Sequence, residues 1–403
     1  MINFVKGGVC APKGFKAAGI HSGIRKSKSK KDLALIVSDF SASGAAVYTT
    51  NIVKAAPILV TKKNLSNGFA RAIICNSGIA NAAVADGIEK ATVMCKLTAD
   101  NLKIKVQDII VASTGVIGQS LNLTPIEESL PGLVLHLSTD GSADASEAIM
   151  TTDTFSKEVA VSFDVDGYTV TIGGIAKGSG MINPNMATML GFLTTDAQVA
   201  SNKLSKMLKT ASDTSFNRVS VDGDTSTNDM LAIMANGQSG VKISNKKSVE
   251  KFQEGLNAVC IHLAKLIAKD GEGATKLIEC TVSGAPSFKI GAKTADSIIN
   301  SSLVKTAMFG SDANWGRILC AIGYSGAKLD ISKVDISFRS SSGEILVCQS
   351  GAGVDFSEDK ATEVLKQNEL VIDVKLNQGK VRVTAWGCDL SYDYVKINGD
   401  YRS

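Results

Sequence analysis

The sequence predicts a mixed α/β (α+β) fold in which largely antiparallel sheet is layered with helices, and three observations carry that expectation. Short β-branched runs alternate with glycine-containing turns through the first half, as in "LALIVSD", "GAAVYTT", "ARAIICNSG" and "DIIVASTG". The stretch "EVAVSFDVDGYTVTIGG" alternates with a period of two on both sides of Asp166-Gly167, the signal of a two-residue hairpin turn. The second half holds longer helix-period stretches between strands such as "KLIECTVSG", "GEILVCQSG" and "KVRVTAWG". Frequent hairpins favour antiparallel layers over a doubly wound parallel sheet.

Taken in order, residues 87–102 and 142–151 read as helices set between strands of the first half. In "SVEKFQEGLNAVCIHLAKLIAKDGE", Val249, Phe252, Leu256, Val259, Leu263, Leu266 and Ile267 recur every three or four residues and give one buried stripe. Gly271 then reads as the stop signal. Further helices are expected near 295–308 and 357–367, between strands that include "KVDISFRS" and "LVIDVKLN". The 403 residues exceed what one core usually covers, so two lobes or one large layered domain are expected. No repeat or low-complexity linker divides the chain, and the only candidate boundary is a change of texture near 180–195.

Composition narrows the function. The balance of 43 Lys plus Arg against 39 Asp plus Glu leaves a formal charge of +4, too even for a nucleic-acid footprint. The local cluster Lys26, Lys28, Lys30 and Lys31 reads as a solvated turn. Eight cysteines are scattered without a CxxC pair, which fits a reduced compartment better than a disulfide framework and argues against a metal site. The three histidines leave few candidates for a Ser/His/Asp triad, and His136 and His262 sit in apolar periodic segments that suggest core positions. No apolar run is long enough to span a bilayer and no secretory h-region opens the chain, so a soluble cytoplasmic protein is expected.

The chemistry concentrates around "GGIAKGSGMINPNMATML". Its glycines lack the spacings that cradle phosphate and open no helix, so no cofactor is expected there. A hydroxyl such as that of Ser179 or Thr188 needs a base, and histidines are scarce. Backbone cleavage before Thr188 would free an α-amine with a pKa of about 8, suited to take the hydroxyl's proton. The small Ala187 leaves the carbonyl before it open to attack. The competing reading is an ordinary loop feeding a buried strand. "VASTGVIG" places Thr114 and Gly115 where a strand enters a tight turn, either a plain β-turn or a pair of donors aimed at one oxyanion. Asp222, Asp224 and Asp229 depart from calcium-loop spacing and read, with the neighbouring Thr225, Ser226, Thr227 and Asn228, as turn and capping groups that shape a site. Glu272 is either an exposed cap or turned inward toward a cationic substrate. "MFGSDANWGRI" reads as a polar knot held by internal hydrogen bonds.

Together these segments resemble the ornithine acetyltransferase (ArgJ) family. Landmarks in family order include "GGVCAPKGFKAAGI", "TTNIVKAAP", "NSGIANA", "VASTGVIG", "IMTTDTFSK", "KGSGMINPNMATML", "VDGDTSTND", "GEGATK", "FGSDANWGRI" and "YDYVKINGDYRS", from residue 7 to residue 403. The resemblance begins so near Met1 that almost no room is expected for a transit peptide. It implies a layered αββα sandwich of the N-terminal-nucleophile kind. It also implies self-cleavage between Ala187 and Thr188 into pieces 1–187 and 188–403 that stay together as α2β2. By resemblance Thr188 is the nucleophile and Thr114 with Gly115 the oxyanion pair. Thr154, Lys177, Thr188, Glu272, Asn398 and Ser403 are the substrate-binding positions, with Thr151 and Thr152 close rivals to Thr154. The implied reaction moves acetyl from N2-acetyl-L-ornithine to L-glutamate, without a cofactor, and leaves open whether acetyl-CoA also serves as donor, as in bifunctional members. An alternative keeps the self-cleaved nucleophile and hands the acyl group to water, as in β-peptidyl aminopeptidases. One departure stands out: Ile79 occupies a place in "NSGIANA" where Asn is expected, which bears on the hydrogen bonding of Asn76, Ser77 and Asn81.

Overall fold

The computed structural model describes residues 1–27, 29–183 and 189–400. In chain order the first ten strands are β1 (Ile2–Val5), β2 (Phe15–Ile20), β3 (Leu33–Tyr48), β4 (Phe69–Ile79), β5 (Ile109–Val116), β6 (Lys157–Val165), β7 (Tyr168–Lys177), β8 (Leu190–Thr195), β9 (Val219–Ser220) and β10 (Met230–Ala235). All but β9 form one sheet in the order β1-β6-β7-β8-β10-β3-β4-β5, with β2 also paired to β3. The expected hairpin joins β6 to β7, pairing Val165 with Tyr168, and both turn residues Asp166 and Gly167 take positive φ as a type I′ turn requires.

Strand β3 turns this sheet into two layers. Its first part pairs with β2 and β4, its register against β4 shifts between Val37 and Ala42, and its last part pairs with β10. Ile36, Ile73 and Ile110 from one arm then share a core with Ile175, Phe192 and Met234 from the other. The outer face of the first arm packs on helices Gly87–Leu102 and Thr124–Leu135 through residues such as Ile74, Met94 and Leu130. The second arm's outer face meets helices Ser201–Asp213 and Lys246–Lys269. This is the αββα layering expected, made from a single bent sheet.

The second sheet comprises β9 with β11 (Leu277–Ala285), β12 (Asp335–Ser340), β13 (Gly343–Gln349), β14 (Ala352–Gly353), β15 (Glu369–Lys375) and β16 (Val381–Cys388), in the order β14-β13-β12-β15-β11-β16-β9. One face carries Ile336, Phe338, Ile372 and Val374 against the helices between 288 and 365. Its other face contributes Leu277, Trp386 and Cys388 to the core around helix Lys246–Lys269. That helix is buried on two sides, adding Cys260, Ala264 and Ala268 to the stripe read from sequence. Each large apolar side chain fully buried there contributes about 1.5–3 kcal/mol relative to exposure.

Most strand pairs are antiparallel, as expected, with parallel pairs at β4–β5, β8–β10, β11–β15 and β9–β16. Three details correct the sequence reading. The texture change near 180–195 is no structural boundary, because β7 pairs with β8 across it. Helix Lys246–Lys269 ends at Asp270, and the nearby glycine in left-handed conformation is Gly273, not Gly271. His136 is exposed at a helix end and His262 is half-buried against Phe4, so neither is a core residue. The "FGSDANWGRI" knot is internally bonded as expected: Asn314 caps the Arg317 amide at 3.2 Å and donates to Asp312, while Arg317 donates to the Leu303 carbonyl at 2.9 Å. All eight cysteines are free. Among the described residues no helix is long and apolar enough to cross a membrane.

Candidate active site

The site is assembled where strands β5 and β7 end. Parallel pairing sets Ser77 beside Thr114 and Gly78 beside Gly115. Gly115 has φ +123, and a Cβ there would lie 2.3 Å from the Gly78 carbonyl carbon, so only glycine lets the two backbones approach. A buried network fixes this turn. Ser113 Oγ donates to Asn76 Oδ1 at 2.5 Å, and Asn228 Nδ2 donates to the carbonyls of Ser113 at 2.8 Å and Ala80 at 2.7 Å. Asn76 Nδ2 donates to the Ile79 carbonyl at 2.9 Å, Ser77 Oγ to the Ala148 carbonyl at 2.6 Å, and Asn81 Nδ2 to the Gly87 carbonyl at 3.0 Å. Position 79 takes part through its backbone, which explains why isoleucine is accommodated.

Lys177, at the end of β7, is 3% exposed, and its Nζ lies 3.5 Å from Thr114 Oγ1. Burial pulls its ammonium below the ordinary lysine range, while the charge of Asp153 opposes that pull. Asp153 accepts the Gly178 amide at 2.6 Å and the Lys157 ammonium at 2.7 Å. Burial would raise this acid, yet Lys177 and Lys157 hold it well below the usual carboxylate range. Lys157 also reaches Asp270 at 2.5 Å, and Asp270 accepts the amide and hydroxyl of the otherwise exposed Thr154. Thr152 instead faces inward, 2.6 Å from Ser179 Oγ.

Glu272 comes in from the turn after helix Lys246–Lys269. Its amide donates to the Ser179 carbonyl at 2.8 Å, and a Cβ on Gly180 would fall 2.3 Å from Glu272 Oε2. The carboxylate is therefore turned inward, the second of the two alternatives. Asn398, on the C-terminal helix Tyr392–Asp400, donates to Glu272 Oε2 at 2.9 Å. A cleft of about 590 Å³ adjoins that helix and is lined by Thr154, Asp270, Lys276 and Lys396, but by none of Thr114, Lys177 or Glu272.

Ala187, Thr188 and Ser403 lie outside the described residues. The chain on both sides of 184–188 is nevertheless held by the "VDGDTSTND" loop. Asp222 accepts the amides of Met181 at 2.6 Å and Ile182 at 2.9 Å, and Asn183 Nδ2 donates to the Gly223 carbonyl at 2.7 Å. Downstream, Asp229 Oδ1 accepts the Met189 amide at 2.9 Å. Burial raises Asp229 well above the carboxylate range and raises Asp222 less, its amide donors opposing. Asp229 Oδ2 is buried without a partner among the described residues. Sequence reading took these acids as shaping a site but missed that two of them hold opposite flanks of one segment. It missed Asp153, Lys157 and Asp270 altogether, although the charges inside "TTDTFSK" and "AKDGEG" were visible.

A turn with an unhindered amide, a hydroxyl, a buried ammonium and an inward carboxylate suit acyl transfer to or from a charged amino acid. The profile of the ArgJ family matches residues 16–403. The chain is 50% identical over 405 residues to the "Arginine biosynthesis bifunctional protein ArgJ" of Caldanaerobacter subterraneus subsp. tengcongensis, covering all of both chains. The chain belongs to the ArgJ family. It is thus an arginine-biosynthesis acyltransferase. A chloroplastic ArgJ of Sorghum bicolor is 48% identical, with 98% of this chain and 87% of that one covered. Among solved structures, the ArgJ of Bacillus halodurans matches with a TM-score of 0.50 and 44% identity, covering 52% of this chain and 98% of its own. An ornithine acetyltransferase of Mycobacterium tuberculosis complexed with ornithine matches with a TM-score of 0.42 and 36% identity, over 46% and 98% of the two chains. ArgJ membership and the layered α+β architecture therefore agree with what the residues led us to expect.

Proposed function

We propose that this ArgJ protein cuts its own backbone between Ala187 and Thr188 and then transfers acetyl from N2-acetyl-L-ornithine to L-glutamate through an ester on Thr188. The observation that carries this reading is the tethering of both flanks of residues 184–188, by Asp222 and Asp229, beside Thr114, Gly115 and Lys177. Support also comes from the Bacillus halodurans ArgJ chain, which is almost wholly covered while matching about half of this one. A cut before Thr188 leaves pieces of about 46% and 54% of the 403 residues.

In the first half-reaction Thr188 Oγ attacks the acetyl carbonyl while the freed α-amine takes the hydroxyl proton. The negative oxygen of the tetrahedral intermediate accepts hydrogen bonds from the Gly115 amide and the Thr114 hydroxyl. Collapse breaks the amide C–N bond, and the α-ammonium of Thr188 returns the proton to the departing ornithine amine. The α-amine of glutamate then attacks the ester, Thr188 Oγ recovers its proton, and N-acetylglutamate departs. Lys177 and Glu272 offer opposite charges to a substrate's carboxylate and side-chain ammonium. Asn398 orients Glu272, and Thr154 and Ser403 complete the substrate contacts. The two pieces remain together as α2β2 in the cytoplasm. Acetyl-CoA serves as a second donor to glutamate, a reading supported by the word "bifunctional" in the names of the curated relatives.

The deciding experiment is a denaturing gel of active enzyme with N-terminal sequencing. Two fragments are expected, the second beginning at Thr188, and an intact chain in active enzyme removes the mechanism. Mass spectrometry after incubation with acetylornithine is expected to find one acetyl group on the second fragment. Side-by-side assays of N-acetylglutamate formation from acetylornithine and from acetyl-CoA test the donors. Release of free acetate in place of N-acetylglutamate would turn the reading toward a hydrolase.

A further inference from the structure

Behind Lys177 the fold buries three more charged side chains. Lys157 is fully buried, with Asp153 Oδ1 at 2.7 Å and Asp270 Oδ2 at 2.5 Å from its Nζ. Every remaining oxygen contact ties a piece of the site to this triad. Asp153 Oδ2 accepts the Thr151 amide at 2.9 Å, its Oδ1 accepts the Gly178 amide, and Asp270 accepts Thr154. Two carboxylates against one ammonium leave the triad with an excess negative charge. A net charge buried away from water is strongly unfavourable unless it is matched.

The match is Lys177. Asp229 and Cys75 also face Lys177; burial raises the Asp229 carboxyl well above its ordinary value and pushes the Cys75 thiol up to about 12. Lys157 is a like charge already engaged twice. Among the described residues no carboxylate is within ion-pair distance of Lys177 Nζ, which approaches Thr114 Oγ1 instead. Lys177 is therefore in the field of the triad but not quenched by contact with it.

We propose that Asp153, Lys157 and Asp270 are positioning residues whose excess negative charge keeps Lys177 an ammonium without touching it, leaving that charge open toward a substrate carboxylate or developing oxyanion. The triad also joins residues on either side of position 188, so the same contacts register the Gly178–Ser179 backbone against the Glu272 turn. The substrate named here rests on the proposed acetyl transfer, whereas the charge on Lys177 does not.

The test is an NMR titration of the whole enzyme carrying ¹³Cε-lysine, with the Lys177 signal assigned by Lys177→Arg, beside the pH profile of kcat/KM for acetyl transfer. Wild-type Lys177 is expected to be charged at neutral pH. Asp153→Asn and Asp270→Asn are each expected to lower its midpoint, by about one pH unit for Asp153, which accepts the amide of the adjacent Gly178, and Lys157→Met to raise it. The alkaline limb of kcat/KM is expected to move in the same sense as the midpoint. A neutral Lys177 amine in wild-type enzyme at neutral pH overturns the proposal. So does a midpoint that stays within about 0.3 unit in the carboxylate variants while their melting temperatures fall, the mark of a purely structural triad. Should Lys157→Met not fold, Asp270→Asn, which keeps an oxygen acceptor, and the wild-type titration decide. Wild-type enzyme that makes no N-acetylglutamate, with the Lys177 shifts as expected, refutes the transfer and leaves the triad standing.

Discussion

The two sheets invest their buried interiors differently. The nine-stranded sheet carries buried polar groups where its strands end, among them Asn76, Ser77, Ser113, Thr114, Lys157 and Lys177. In the seven-stranded sheet, the face built from Ile278, Ile336, Phe338, Val347, Ile372 and Val374 is apolar. Polar groups are buried only at a cost that their partners must offset, so such density marks where the fold gives up easy stability for chemistry. The second sheet contributes by support: it backs helix Lys246–Lys269, whose end delivers Asp270 and Glu272 to the site.

The sharpest way to test this division begins with the largest effect. Thr188→Ala should leave one uncut chain and abolish transfer, while its melting temperature stays near the wild-type value. Full activity would detach the nine-stranded sheet from the chemistry. Next, Phe338→Ala in the second sheet should destabilise the fold by about 3–5 kcal/mol in denaturant unfolding, yet leave kcat/KM unchanged for the protein that remains folded. A fall in kcat/KM would break the comparison. Thr114→Ala should lower kcat by about ten- to a thousandfold with little change in stability, the range set by the loss of one oxyanion donor. Normal turnover would withdraw that role. The smallest effect is expected from Ser357→Ala, which deletes the cap on the Lys360 amide and should cost about 1 kcal/mol without touching activity.

Local pattern was enough for elements that local physics decides. The Asp166-Gly167 turn declares its own geometry, and the apolar stripe from Val249 to Ile267 placed the long helix Lys246–Lys269. What pattern cannot carry is partnership at a distance. The β3–β10 pairing joins residues 43–48 to 230–235, and nothing in either run names the other. The same holds for Lys157 and Asp270, two charges that look like ordinary surface groups until the fold buries them against each other. The histidines failed for the opposite reason: apolar neighbours in sequence suggested a core, but His136 sits at a helix end and faces out, and His262 lies mid-helix yet only half-buried beside Phe4.

The interleaving of β7, β8, β10 and β3 has a consequence for timing. Residues after position 188 supply two strands in the middle of a sheet whose flanks come from residues before it. Neither half encloses the shared core alone, and as separate solutes they would have to find each other at cellular concentration. Within one polypeptide the partner is always present at high effective concentration. The unbroken chain thus acts as an assembly jig: the proposed cut can only follow folding, and afterwards hydrogen-bonded strands do the work that covalent continuity did during synthesis.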